Sequence, residues 1–320
     1  MNPVTRGFHH VTMVARIPDR TVAFYRDLLG LTLLHRTSNV DDPDSEHLFF
    51  TAANGQPGTL LTFLQWSDVP AGRWGVGGIH HLALGVQSED AQLKWKRWLT
   101  GHGVTVSGPY DRGWFKSIYF VDPDGQVLEI ATAGPGYTID EPIEALGTTV
   151  QMPRQEQLRG YRDEAAIAAH TYPRAVTEIS DDMQLDGIHH ITGMTNDVFA
   201  MNDFYAQALG LRLVKKSVNQ DDPVTPHWFW ASYDGRHVGA HSSLTMFGWP
   251  TSNYRARAGV GQMHHIAFRA DSMAQLHSWH NHLHDMNVEV TPVLERQYYS
   301  SIFFRAPDGL MIEIATDSDA

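Results

Sequence analysis

Cysteine is absent from all 320 residues, so disulfides, thiolate metal sites and cysteine nucleophiles are excluded, and a reducing compartment suits the chain. Long apolar runs are missing as well. No stretch approaches the roughly 18 residues of a membrane helix, and the opening segment MNPVTRGFHHVT lacks the apolar centre of a signal peptide. A soluble, cytoplasmic protein without a membrane partner is the expectation. Positive charge is scarce: 24 Lys and Arg stand against 36 Asp and Glu, a formal net charge of −12 that argues against nucleic acid as a partner. There is no Gly-rich phosphate loop and no GxSxG elbow, which leaves nicotinamide, ATP and serine-hydrolase chemistry without support.

What the chain does have is a doubled histidine, four times over: His9-His10, His80-His81, His189-His190 and His264-His265. Each pair opens an apolar run, HHVTMVA, HHLALGV, HHITGMT and HHIAFRA. Two of the segments close on a carboxylate among β-formers, Glu129 in VLEIAT and Glu313 in MIEIAT. The repeats are nearly gap-free. An offset of 180 carries Gly7, His10, Thr12, Tyr25, Gly30 and His47 onto Gly187, His190, Thr192, Tyr205, Gly210 and His227. An offset of 184 carries His81, Arg112, Ser117 and Glu129 onto His265, Arg296, Ser301 and Glu313. The chain therefore reads A-B-linker-A′-B′.

Module A runs strand, helix, then three strands: residues 8–16, TVAFYRDLLG, LTLLHRT, EHLFFTA and GTLLTFLQW. Module B follows the same plan, with a helix around 89–101 and strands in GVTVSG, KSIYFVD and QVLEIAT. The predicted fold class is α+β: four βαβββ modules paired into two curved, barrel-like sheets. Residues 1–133 hold the first pair of modules (7–66 and 78–133), and 187–320 hold the second (187–249 and 261–316). Residues 134–186 are expected to form an ordered linker or flap with a helix over 154–170.

Adjacent residues on a strand point to opposite faces, so the second His of each pair is expected inside the cup and the first to face away or stand behind it. A carboxylate flanked two residues away by Val127 and Ala131, or by Met311 and Ala315, shares an apolar face and needs a cation, a donor or a proton. Two His and one carboxylate with open positions is the ligand set of non-haem Fe(II) oxygenases. His47 and His227, each opening a strand after a DDP turn, are placed either on a pocket wall or as structural residues. His280 and His284 are read as a solvated helix face. Phe63, Trp66, Trp228, Trp230, Phe247 and Trp249 are candidates for a ring pocket, with core packing the commoner role.

The order HH-x-T, FY-x₃-LG-L, DDP-x₃-H, HH-x-A and DPDG-x₃-EIAT resembles the vicinal oxygen chelate superfamily of glyoxalases, bleomycin resistance proteins and extradiol dioxygenases. Within it, the chain is similar to the ring-cleaving dioxygenases of hydroquinones and chlorohydroquinones. The resemblance implies a metal-dependent dioxygenase that opens a hydroquinone- or catechol-type ring with O2. Its metal would be Fe(II), with Mn(II) or Zn(II) as alternatives. The implied ligands are His190 or His10, His81 or His265, and Glu129 or Glu313. Around them it implies Arg112 and Tyr119, or Arg296 with Phe303 in place of Tyr, and the first His of the pair, His189 or His9, as a base. The partners implied are a small aromatic and O2, in a chain open to forming a homo-oligomer. In relatives the first and last modules build one cup and the metal sits there alone; here both A-type and both B-type modules keep the ligands. PGYTIDEPIEAL (135–146), which resembles a segment following the final module in relatives, suggests that A′ pairs with B and A with B′, sequential pairing being the alternative. A glyoxalase-like isomerase or lyase, or a non-enzymatic aromatic-binding protein, are the competing functions.

Overall fold

The computed structural model describes residues 3–52, 55 and 58–317. All four modules form as expected. Module A contributes β1 (Phe8–Ala15), β2 (Thr32–Ser38), β3 (Glu46–Thr51) and β4 (Leu60–Gln65); module B contributes β5 (Ile79–Val86), β6 (Ser107–Asp111), β7 (Lys116–Val121) and β8 (Val127–Thr132). Module A′ supplies β9 (Ile188–Thr195), β10 (Arg212–Asn219), β11 (Asp222–Ala231) and β12 (Ser243–Gly248). Module B′ supplies β13 (Gln262–Arg269), β14 (Leu294–Glu295), β15 (Tyr299–Arg305) and β16 (Met311–Asp317).

These strands make two eight-stranded sheets, ordered β14-β15-β16-β13-β1-β4-β3-β2 and β10-β11-β12-β9-β5-β8-β7-β6. Each sheet therefore takes one module from each half of the chain. A pairs with B′ through antiparallel β1 and β13, and A′ pairs with B through β9 and β5. The sheets do not follow the 1–133 and 187–320 halves, and the crossed pairing suggested by residues 135–146 is the one observed.

Helices cover the outer faces. Helix α1 (Pro18–Val22) runs into a π-helical turn at Ala23–Leu28, and Gly30 at φ +72 ends it. Helix α2 (Glu89–Gly101) starts at Ser88, whose side chain accepts from the Ala91 N–H, and buries Trp95 and Leu99. Trp95, Tyr25, Tyr205 and Trp279 belong to one continuous core that includes residues of both sheets. No helix among the described residues is long and apolar enough to cross a membrane.

Two local expectations fail. The strand expected in GVTVSG is shifted along the chain: the Val104 N–H bonds back to the Leu99 carbonyl at the end of α2, and β6 begins only at Ser107, taking in the last two residues of that run. The helix expected over 154–170 is reduced to a short 3-10 turn and α3 (Glu164–Ala169), because Gly160 adopts φ +89 and breaks the run.

The rest of the linker is tied down by two buried lysines. Lys96 of α2 donates to the carbonyls of Ile167, Ala168 and His170 at the end of α3, satisfying acceptors that a helix leaves orphaned. Lys215 of β10 donates to the Tyr137 carbonyl at 2.9 Å, to Glu141 Oε2 at 3.0 Å and to Asp140.

Candidate metal centres and their cups

The structure gathers two triads. His10, His265 and Glu313 meet in the A–B′ sheet, and His81, Glu129 and His190 in the A′–B sheet, with the ligand atoms of each triad all within 4.8 Å of one another. His10 Nε2 and His265 Nε2 each lie 3.0 Å from Glu313 Oε2; His81 Nε2 and His190 Nε2 lie 3.1 and 3.4 Å from Glu129 Oε2. The positions follow from register. Glu313 stands beside Ala267 on β13, and Glu129 beside Ala83 on β5, each two residues along from the second His of its strand.

The first His of each pair does not face away from the cup. Every pair sits at a β-bulge: His9 is the extra residue between the Phe8↔Phe268 and His10↔Ala267 pairings, and His80, His189 and His264 are extra in the same way. A bulge sets two residues against one and suspends the alternation of faces. As a result the two Nδ1 atoms of every pair approach to 2.8 Å. One of the two must donate and the other accept. Burial pushes His80 and His189 down to about 3 and His264 down to about 4, so these rings are neutral. His9 is also lowered, mainly by burial, though Asp317 at 3.2 Å from its Nε2 opposes the shift.

Both carboxylates are fully buried, and among the described residues no donor other than the flanking imidazoles reaches either oxygen of Glu129 or Glu313; His10 Nε2 and His265 Nε2 likewise meet nothing but the carboxylate. Burial pushes each Glu up, but the His rings beside it outweigh that effect and hold it well below the usual range. A buried, ionised carboxylate flanked by imidazole nitrogens and lacking donors is an environment completed by a cation. The residues of both triads fit a divalent metal.

Around these triads the cups differ. In the A′–B cup, Arg112 donates to Tyr119 Oη at 3.0 Å and to Gln220 Oε1 at 2.6 Å, and Tyr119 stands opposite Glu129 in the β7–β8 register. Burial raises the Tyr119 phenol, so it keeps its proton. Thr192 Oγ1 lies 2.9 Å from His81 Nε2. The void at this wall is only about 10 Å³, bounded by Trp114, Phe115, Phe229 and His227 among others. The linker is laid along this sheet: Gln151 N–H bonds to the Lys216 carbonyl, Arg159 N–H to the Gln220 carbonyl, and Arg154 pairs with Asp111. On the far side of Trp114 and Phe115 lies a chamber of about 520 Å³ that His189 also lines.

The A–B′ cup is open. A cavity of about 710 Å³ reaches His265, Thr12 and His47. Its Arg296 pairs with Asp41 at 2.7 Å, and Phe303 replaces the tyrosine. Of the aromatic candidates, Phe63 and Trp230 are core, Trp66 lines this open cavity, and Phe247 packs against His227. On the helix Met273–Asp285, His284 is exposed as expected, while His280 is half-buried.

Neither the placing of Phe115 and Trp114 between one cup and a neighbouring chamber, nor the reach of Tyr137 from the linker to hydrogen-bond Ser243 at 2.8 Å, was visible in the residue pattern.

The family model of the Glyoxalase/Bleomycin resistance protein/Dioxygenase superfamily matches residues 7–130 and 187–314. The chain belongs to this superfamily. It is 27% identical over 313 residues, 98% of its length and 85% of the relative's, to MhqO of Bacillus subtilis (strain 168), provisionally named a ring-cleaving dioxygenase. It is 32% identical over 162 residues, 50% of its length and 47% of the relative's, to the chlorohydroquinone/hydroquinone 1,2-dioxygenase of Sphingobium indicum. Among solved structures, a Bacillus subtilis protein provisionally named a dioxygenase superposes with TM-score 0.76 at 25% identity, covering 99% of this chain and 87% of that one. Glyoxalase I from Zea mays shares the fold, with TM-score 0.61 at 15% identity over 98% of this chain and 93% of its own.

Proposed function

We propose that this dioxygenase-family enzyme cleaves the ring of a hydroquinone- or catechol-type diol with O2, and that turnover takes place in the A′–B cup. The observation that carries this reading is the buried Glu129, which among the described residues meets no donor other than His81 and His190 and stands opposite the Arg112–Tyr119 pair. His81, His190 and Glu129 would hold the metal, Fe(II) in this reading. Bound there, it supplies Lewis acidity toward a ring hydroxyl and the redox partner that O2 chemistry with an aromatic needs.

The chain's own residues do the rest. His80 and His189 each set an Nδ1 against that of a ligand His. With the ligand ring donating and its neighbour accepting, the tautomer that leaves Nε2 free toward the cup is held in place. That use of the lone pair makes His189 a positioning residue instead of the base expected from sequence, and His9, whose Nδ1 meets His10, is read the same way. Tyr119 accepts from Arg112, so its own proton is free to be donated to an oxygen gaining charge, and the guanidinium adds fixed positive charge behind it. Trp114, Phe115 and Phe229 keep the wall dry, which strengthens both effects. A ring diol enters only if Phe115 or Trp114 swings into the adjoining chamber or the linker lifts.

Oxygen uptake by anaerobically Fe(II)-loaded protein offered hydroquinone, catechol and their chlorinated and methylated forms tests the proposal. Uptake lost in Glu129→Ala and kept in Glu313→Ala supports it. Metal binding with no uptake on any diol refutes it.

A further inference from the structure

Modules A and A′ place different residues at one turn. Gly58, four residues before Thr62, corresponds to His241, four residues before Thr245. Both take left-handed backbone, at φ +79 and +51. Both carbonyls cross to the other module: Gly58 accepts from the Ile188 N–H at 2.9 Å and His241 from the Phe8 N–H at 2.7 Å. The turn needs a backbone that glycine adopts freely and a side chain resists. Among the described residues Asn287 is the one other non-glycine at positive φ, and it follows the helix Met273–Asp285, where asparagine is a common stop.

His241 accepts that strain and sets an imidazole on the wall of the chamber of about 520 Å³. Its Nδ1 donates to the Ile188 carbonyl at 2.9 Å, and the tautomer this fixes presents Nε2 as an acceptor. The ring is half-buried, Nε2 is not among the fully buried polar atoms, and among the described residues nothing hydrogen-bonds to it. Trp114, Phe115, Tyr137, Ile143 and Val238 line the same space, with the Tyr137 hydroxyl already spent on Ser243. Of the charged groups at the chamber, Arg236 and His237 are exposed and Asp186 is engaged by Gln87 at 2.7 Å. The interior therefore offers aromatic and aliphatic surface with an imidazole acceptor at its wall, in a volume suited to a small ring compound.

We propose that this chamber is a binding site for an uncharged phenol-type ring, held without a metal, whose hydroxyl donates to His241 Nε2. Its place in turnover rests on the reading that aromatic diols are this protein's substrates. Phe115 lines both the chamber and the small void beside the metal ligands, and its ring lies 4.9 Å from His189 and 5.3 Å from His190. A diol held in the chamber thus waits one side chain away from the A′–B triad.

The test is calorimetric titration with 2-naphthol, which carries one hydroxyl and cannot chelate a metal, and with naphthalene, which lacks the hydroxyl. The parent is expected to bind 2-naphthol saturably. Val238→Trp, which fills the chamber, should remove one equivalent of either ligand. His241→Gly installs the residue that module A uses, so the turn keeps its backbone. It should weaken 2-naphthol about tenfold, the loss of roughly one hydrogen bond, and leave naphthalene unchanged. Thermal melts check that both variants fold; if Val238→Trp does not, the difference between the two ligands in His241→Gly decides alone. No saturable binding of 2-naphthol, an unchanged stoichiometry in folded Val238→Trp, or an equal effect on both ligands in His241→Gly overturns the proposal. Oxygen uptake with a diol alongside any of those failures leaves the dioxygenase reading standing. Binding that follows His241 without uptake on any diol keeps the chamber site and removes that reading.

Discussion

Replacing Lys215 with Met probes how the linker is held against the A′–B sheet. The ammonium of Lys215 is fully buried and its three protons are all spent on the linker: the Tyr137 carbonyl, Glu141 and Asp140. Methionine keeps the apolar stem, so packing is conserved and the change isolates the charge. Removing one partner of a buried ion pair costs about 3–5 kcal/mol. Two features place this case near the lower figure. Asp140 is about one-third exposed, and Glu141 keeps the Thr149 hydroxyl at 3.1 Å and the Thr149 N–H at 3.3 Å. A loss of about 3 kcal/mol, at roughly 2 °C per kcal/mol for a chain of this size, lowers Tm by about 6 °C. Differential scanning calorimetry reads that shift. Limited proteolysis across 134–162 reads whether the linker has come away by itself, in which case cutting accelerates while Tm falls less. A Tm within 1 °C or so of the parent with unchanged proteolysis would refute the idea that Lys215 holds the linker down.

Three other expectations follow from the same contacts. Glu129→Ala and Glu313→Ala should each lower metal content by about one equivalent per chain and the double variant should hold none, as elemental analysis would show; a double variant that still binds two would place the metal elsewhere. Phe115→Leu, at the wall shared by the small void and the chamber of about 520 Å³, should speed diol binding to the A′–B cup in stopped-flow while costing about 1 kcal/mol, and an unchanged on-rate would exclude that route. Burial pushes Asp122 up to about 6 from the usual 3.8, against the opposing hydrogen bonds of Gln126, Tyr25 and Asp124, and Asp308 is also raised to about 6 by burial. Each contributes stability that is full below about pH 4 and is lost as pH rises toward 6, by up to about 3 kcal/mol for each group. Asp122→Asn should remove about half of that decline in denaturant melts, and a pH profile parallel to the parent's would contradict the assignment.

Much of this architecture was legible because the repeats carry their own register. Apolar runs opening on His-His and closing on Ile-Ala-Thr announced strands, and the near-equal offsets of 180 from His10 to His190 and 184 from Glu129 to Glu313 announced two copies of one site. The bulges were not legible. Strict alternation sends neighbours to opposite faces, and nothing in the letters HH says that an extra residue lies there; only the pairing of Phe8 with Phe268 and of His10 with Ala267 reveals it. The helix expected over 154–170 failed at Gly160, whose left-handed backbone is set by how the linker packs on β10 and the Gln220 loop. The unequal openness of the two cups was equally hidden. It depends on where an intervening segment of ordinary composition comes to rest.

The crossed pairing of modules also sets an order of assembly as the chain leaves the ribosome. The inner seam, β5 with β9, can close once residue 195 has emerged, whereas the outer seam, β1 with β13, waits until residue 269. One cup is thus nested inside the other like a pair of brackets. Throughout that interval β1 has no partner on its β13 side, and such an edge is open to pairing with another chain. A nascent protein halted after β12 has emerged at residue 248 and before residue 269 would carry a finished A′–B cup and half of an unfinished one.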